Sequence, residues 1–322
     1  MPPSYQTVNY TLRPRKCIER KMFSEAFLRL SEFGALSSYR YVGLGSTYFS
    51  DFALFHKTLG ITNMVSIERE ERDRDRFEFN RPYKCIRIEW GESTDVLASM
   101  AWEPRTILWL DYDGPLDTSK LSDTRLFCTS ARSGSVIVVT VDARQEEIKD
   151  SADSAKPRRS KVAALRRMVG RENVPIDVKD KDLEGWELAR VYRRIIDDTI
   201  RTTLSERNGL LEQGDRLIYK QLFYFHYADG AKMLSVGGII YDKGDAPKEA
   251  RCCFEELRFV RTGDKECRIE PPMLTLREVK YLDAQLPCRR RMTPKCPGVE
   301  REALKRYADV YRYYPNFAEA EL

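Results

Sequence analysis

Five short apolar runs, each followed by an amphipathic or charged segment, constrain the fold of this chain more than any other feature. They read "YRYVGLG", "NMVSIERE", "KCIRIEWG", "RTILWLDYDG" and "GSVIVVTVDAR". Several are continuously apolar rather than alternating, which is the pattern of strands covered on both faces. The connecting segments carry helix signals. "SDFALFHKTLG" has Ser50 or Asp51 near its start and Gly60 at its end. Strands alternating with helices predict a doubly wound α/β domain around a mostly parallel sheet. An amphipathic helix over residues 15–33 precedes it, with Ile18, Met22, Phe23, Phe27, Leu28 and Leu30 on one broad apolar side.

The rhythm changes after residue 143. A charged, irregular stretch follows, with a basic helix expected over 160–169 and a longer helix over 184–207. Two strand-like runs then flank the turn "ADGA" within residues 217–242, a hairpin signal that adds an antiparallel pair and brings the sheet to seven strands. The expected organisation is a helical N-terminal extension (1–38), a central domain (39–250) with an insertion (145–215), and a C-terminal accessory segment (251–322). That last segment holds the helix-like "TLREVKYLDAQL" and an aromatic tail.

Composition narrows the class. With 42% hydrophobic and 33% charged residues, the 322-residue chain reads as a globular enzyme and is too rich in aromatics for disorder. No apolar run approaches the roughly 20 residues that span a bilayer, and "MPPSYQTVNYTLRPRK" is not a signal peptide. The eight cysteines form no C-x-x-C pair, which argues against a zinc site and suits reduced thiols in a cytoplasm. Only His56 and His226 are present, so no histidine-rich metal centre is expected.

Four places carry chemistry. "VGLGS" places Gly43, Leu44, Gly45 and Ser46 between the first strand and its helix, where glycines let a ligand approach the backbone; the same residues also suit a plain strand-to-helix turn. Glu68, followed by Arg69, ends the second strand 23 residues beyond Gly45, where a carboxylate can accept hydrogen bonds from a ligand or simply face solvent in the mixed-charge run "EREERDRDR". "WGES" supplies Gly91, Glu92 and Ser93 after the third strand, the last two also suiting a helix cap for "STDVLASM". "LWLDYDG" brings Asp111, Tyr112 and Asp113 out at the end of the fourth.

In this order, these motifs resemble the class I, Rossmann-like S-adenosylmethionine-dependent methyltransferases over residues 39–242. The resemblance implies S-adenosylmethionine as cofactor, held by the glycine loop, with Glu68 on the ribose and Glu92 and Ser93 beside the adenine. Such loops usually carry a third glycine; here Tyr48 or Ser46 stands near that place. Asp111 or Tyr112 would face the sulfonium and the methyl acceptor, and Asp113 is a candidate base or orienting group. The Asp111 carboxylate is expected to point into the cleft rather than to pair within the core.

Two other classes compete. "LDYDGPLD" also resembles the first motif of haloacid-dehalogenase-type phosphatases, with Asp111 and Asp113 handling a phosphoryl group and Asp197 and Asp198 on magnesium. Against it, three strand-helix units precede the motif and Pro115 replaces the usual threonine. A silent methyltransferase-fold binding or sensor module is the other class. Basic clusters at 156–167 and 288–295, with Tyr311, Tyr313, Tyr314 and Phe317, suit a nucleic-acid acceptor or partner; these clusters and the one at 12–21 also suit solvated helix faces or loops, and the aromatics also suit packing of the tail helix against the domain. A protein acceptor or partner stays open, and no membrane partner is expected.

Overall fold

The computed structural model describes residues 13–144, 160–288 and 293–315. The strands are β1 (Arg40–Leu44), β2 (Asn63–Glu68), β3 (Ile86–Trp90), β4 (Thr106–Asp111), β5 (Ser135–Asp142), β6 (Leu217–Asp229), β7 (Ala231–Asp242) and β8 (Cys267–Arg268). They form one sheet in the order β3-β2-β1-β4-β5-β7-β6-β8. β1 to β5 pair in parallel, β7 runs antiparallel to both β5 and β6, and β8 lies parallel to β6. The doubly wound expectation holds, with one addition. The sheet has eight strands rather than seven, because Cys267 and Arg268 pair with Phe225 and His226. A two-residue strand has no periodicity for a sequence to display.

Side-chain alternation divides the core into two layers. On one face Tyr41, Trp109, Val138, Phe223 and Phe225 pack under α1 (Pro14–Leu28) and α2 (Ser50–Leu59). On the other, Val42, Leu110, Val139 and Val236 pack under α5 (Thr118–Ser130) and α7 (Glu187–Asn208). The N-terminal helix is therefore a layer of the sheet domain. Its Phe23 ring meets Trp109 at 4.9 Å and Phe223 at 4.7 Å, and Phe27 meets Phe55 at 5.4 Å. It is also shorter than expected, passing into a 3-10 turn over Arg29–Phe33 before Gly34.

The hairpin turns at Gly230, whose φ of +96° suits a residue without a Cβ. The basic helix forms over Lys161–Val169. A satellite core joins the C-terminal helices Leu276–Asp283 and Arg301–Val310 through Val279, Leu282, Leu304 and Tyr307. The aromatic tail packs onto these layers: Tyr313 meets Phe259 at 5.8 Å and Tyr314 meets Tyr307 at 5.2 Å, while Tyr311 lies against the satellite core. Phe317 and residues 145–159 and 289–292 of the insertion and basic clusters lie outside the described residues. All eight cysteines are free thiols, and among the described residues no helix is long and apolar enough to cross a membrane.

Candidate functional site

The sheet order reverses between β1 and β4, so a crevice opens outside their carboxyl ends, the place where open α/β sheets bind ligands. Gly43 pairs with Trp109 in adjacent strands, so Gly45 and Asp111, each two residues further on, stand on opposite sides of that crevice.

On the β1 side the glycines are required by space. A Cβ on Gly43 would lie 2.7 Å from the Tyr41 hydroxyl oxygen. On Gly45 it would lie 2.0 Å from Ser66 Oγ and 2.2 Å from Glu68 Oε1. The loop then turns on Ser46, whose carbonyl accepts from Phe49 N at 3.1 Å and whose hydroxyl accepts from Tyr48 N at 3.3 Å. The left-handed backbone falls on neither Tyr48 nor Ser46. Phe49 adopts it, at φ 44° and ψ 33°. Such a residue costs about 1–3 kcal/mol in backbone strain, and here full burial of the ring offsets it.

Glu68 closes this side of the crevice. It is 6% exposed and accepts a 3.1 Å bond from Ser66 Oγ. Burial pushes its carboxyl up to about 8, against the lowering effect of the Ser66 hydroxyl and with a small further rise from Asp51. Its carbonyl accepts from Gly91 N at 2.9 Å, and Gly91 takes φ +143°, so the ends of β2 and β3 are tied together. Arg69 is exposed and pairs with Glu70 at 3.6 Å.

Beyond β3, Glu92 stands at the N-cap of α4 (Ser93–Ser99) without a side-chain capping bond. Ser93 is engaged elsewhere. Its hydroxyl donates to Asp123 Oδ2 at 2.5 Å, as does Tyr112 at 2.5 Å, and Thr94 donates to Asp123 Oδ1 at 2.5 Å. Asp123, fully buried on α5, thus ties α4 to the end of β4. Tyr112 consequently points to the face opposite Asp111, and burial followed by the Asp123 charge holds its hydroxyl well above the usual tyrosine range. Sequence reasoning missed Asp123; its one signal is a carboxylate on the same inward side of α5 as Leu121, Thr124 and Phe127.

The expectation for the Asp111 side chain needs correction: its carboxylate pairs. Lys16, from α1, donates to Asp111 Oδ1 at 2.7 Å and to the Tyr227 hydroxyl at 2.9 Å, and lies 2.8 Å from Glu19 Oε2. Its ammonium also sits 4.3 Å from the centre of the Trp109 ring. The chain of hydrogen bonds continues from Glu19 to Ser235 and, at 2.7 Å, to Thr140, which accepts from Trp109 Nε1 at 3.0 Å. Lys16 is 1% exposed, whereas the Asp111 side chain keeps 25% of its surface. Burial, then Asp111, raises the Glu19 carboxyl, with Lys16 opposing. Asp51, in the first turn of α2, accepts from the Tyr41 hydroxyl; burial raises its carboxyl and Arg20 lowers it.

Lys16 and Arg20 are therefore not a solvated basic face, as the cluster at 12–21 suggests, since both are buried. The available signal was spacing. Residues 16, 19 or 20, 23 and 27 share one helix face, so the charges lie on the stripe that carries Phe23 and Phe27. Asp113 lies exposed beyond the strand. Asp197 pairs with Arg201 at 2.7 Å along α7, remote in kind from a strand-end metal pair.

A family described as "Putative O-methyltransferase" matches residues 8–322. The chain belongs to this methyltransferase family. That assignment, with Asp197 on a helix, leaves the phosphatase reading without support. No curated protein matches the sequence. Among solved structures, the chain is similar to Trm1 from Pyrococcus horikoshii in complex with S-adenosyl-L-methionine, at 15% identity over 76% of this chain and 60% of that one, with a TM-score of 0.44. It thus spans about 60% of that protein's length. It is also similar to an O-methyltransferase from Bacillus cereus in complex with SAH, at 12% identity over 67% of this chain and 80% of that one, with a TM-score of 0.34.

The two solved structures named above hold S-adenosyl-L-methionine or SAH, and the residues around the crevice of this chain bear on whether it fits such a group. Two glycines are required where the strand-end loop packs on Tyr41, Ser66 and Glu68, and a buried carboxyl stands directly against the second of them. A partly exposed carboxylate, Asp111, ends the neighbouring strand β4.

Proposed function

We propose that this methyltransferase transfers the methyl group of S-adenosylmethionine to an oxygen of its acceptor. The observation that carries the reading is the pair of carboxyl groups on the two sides of the switch point, Glu68 packed against Gly45 and Asp111 on β4. When bound, the cofactor supplies a methyl group on a positively charged sulfur, which departs as a neutral thioether.

The protein's part is alignment and proton management. Gly43 and Gly45 admit the cofactor to the loop between β1 and α2. Glu68 accepts hydrogen bonds from the ribose hydroxyls, giving up its own proton as it does so. The Asp123 cluster holds the start of α4 and the end of β4 in register for the adenine. Asp111 accepts the proton of the acceptor oxygen as that oxygen gains the methyl group, and its exposed edge returns the proton to solvent.

A nucleic-acid acceptor is supported by positive charge in the insertion, where Arg166 and Arg167 lie in the last turn of the basic helix. The test is mass spectrometry of the purified protein for bound cofactor, then tritiated-methyl transfer to RNA, DNA, protein and small-molecule fractions. Saturable S-adenosylmethionine binding with label in one fraction supports the reading. Cofactor binding with no transfer to any fraction favours a silent binding module.

A further inference from the structure

The buried ionic cluster around Lys16 is more than packing. Its ammonium has three N–H donors, and three acceptors stand within bonding distance: Asp111 at 2.7 Å, Glu19 at 2.8 Å and the Tyr227 hydroxyl at 2.9 Å. Two of these are hydrogen bonds, to Asp111 and Tyr227, and the third is an ion pair with Glu19; held so and 1% exposed, Lys16 is not placed to touch an acceptor molecule itself. It acts on Asp111, the member of the cluster that reaches the crevice.

Stability alone is a weak reason for such an arrangement. Burying an ammonium and the Glu19 carboxyl costs several kcal/mol per ion, and well-packed apolar residues of the same volume are often as stable or more so. Phe23 and Phe27, on the same stripe about two and three turns on, show what this helix face uses where only packing is needed. At position 16 it carries a cation instead, level with the carboxyl end of β4. The charged and titratable groups that face Asp111 come from several elements: Lys16 and Glu19 from α1, Asp51 from α2, Tyr41 from β1 and Tyr227 from β6. Arg20 of α1 faces Asp51 in turn. Among these, Lys16 is the cation bonded to Asp111 itself.

We infer that Lys16 is a positioning residue for methyl transfer, through which the N-terminal helix holds the Asp111 carboxylate with one oxygen fixed and the other side turned to the acceptor. The inference rests on the role given to Asp111 above. It makes α1 part of the active site, although that helix precedes every strand of the fold.

The test uses the full chain and the acceptor fraction that takes label. Lys16→Met alone leaves the buried Glu19 carboxyl without its cation, so the principal variant is Lys16→Met with Glu19→Gln, which removes one charge of each sign. Its kcat is expected to fall about 10–100-fold at pH 7, the usual effect of losing a partner that orients a working group. KM for S-adenosylmethionine stays within about twofold of wild type, because the cofactor contacts are untouched. Asp111→Asn shows a deficit at every pH, and adding Lys16→Met to it costs nothing further. Lys16→Arg, which keeps the charge, retains more activity than Lys16→Met. The inference is overturned by a Lys16→Met, Glu19→Gln protein that keeps wild-type kcat and pH dependence while its melting temperature changes. It is equally overturned if Lys16→Met slows Asp111→Asn by a further tenfold. Calorimetry on the wild type separates the two levels: no binding of S-adenosylmethionine speaks against the function, whereas binding and transfer with either of those outcomes speaks against Lys16 alone.

Discussion

A Cβ on Gly45 would stand 2.2 Å from Oε1 of Glu68, so the end of β2 is packed against the β1 loop with no room for a methyl group between them. Both contacts at Gly45 are side-chain atoms, of Ser66 and Glu68, and its φ is not in the left-handed region; space alone forbids a larger residue. Gly45→Ala is therefore expected to fold, with Glu68 pushed off its place and a loss of about 1–3 kcal/mol in stability. Affinity for S-adenosylmethionine should fall at least about tenfold, the equivalent of one good hydrogen bond to a charged group. Calorimetry and thermal melts on the same samples check both; unchanged affinity would remove Glu68 from the cofactor site.

The raised Glu68 carboxyl makes two opposite pH dependences. Its folded value of about 8 lies above the ordinary 4.5, so the stability it favours is present in full below pH 4.5 and is lost as pH rises through 8. Glu68→Gln should accordingly raise the melting temperature at pH 8.5 and leave it nearly unchanged at pH 4.5. Ligand affinity runs the other way. Ribose hydroxyls donate to the ionised carboxylate, so binding releases a proton below pH 8 and tightens as pH approaches that value. Titrations in two buffers of different ionisation enthalpy will reveal the proton, and pH-independent binding would show that Glu68 is not the ribose acceptor.

Asp123 accepts three hydroxyl bonds inside the fold. Asp123→Ala leaves Ser93, Thr94 and Tyr112 without their acceptor and opens a cavity, and about 3–5 kcal/mol of destabilisation is expected. Asp123→Asn keeps the shape and one acceptor oxygen, and should lose less than half as much. Denaturant midpoints of the two proteins give the comparison; equal losses would mean that volume rather than hydrogen bonding is what Asp123 supplies.

His226 is buried on β6, stacked on Trp186 at 4.7 Å, and neither ring nitrogen has a hydrogen-bond partner among the described residues. Burial pushes it down from 6.5 to about 4. A depressed histidine contributes stability that is present above pH 6.5 and lost as pH falls through 4. His226→Phe keeps the stack and removes two unsatisfied polar atoms. It should stabilise the protein by about 1–2 kcal/mol at neutral pH and by more at pH 5. A destabilised variant with a cofactor-binding defect would instead assign His226 to the site.

The sequence by itself determined the layered α/β plan, because that plan is written in local periodicity. Unbroken apolar runs mark strands covered on both faces, and the "ADGA" turn marks the antiparallel hairpin. Gly45 and Glu68 were legible for a related reason: each lies at a strand end, and strand ends converge wherever parallel strands are adjacent. What tertiary structure alone decided is contact between distant elements. Lys16 and Asp111 are 95 residues apart, and nothing local to either announces the pair; it exists because α1 docks with its apolar stripe on Trp109, Phe223 and Phe225. The same docking turned a stretch that reads as a basic patch into a buried ionic cluster. Asp123 and the two-residue β8 were hidden likewise, one as a polar residue in an ordinary helix and the other as a strand too short to have a period. Periodicity reports which face of an element is buried, whereas the partner on that face is set by how the elements pack.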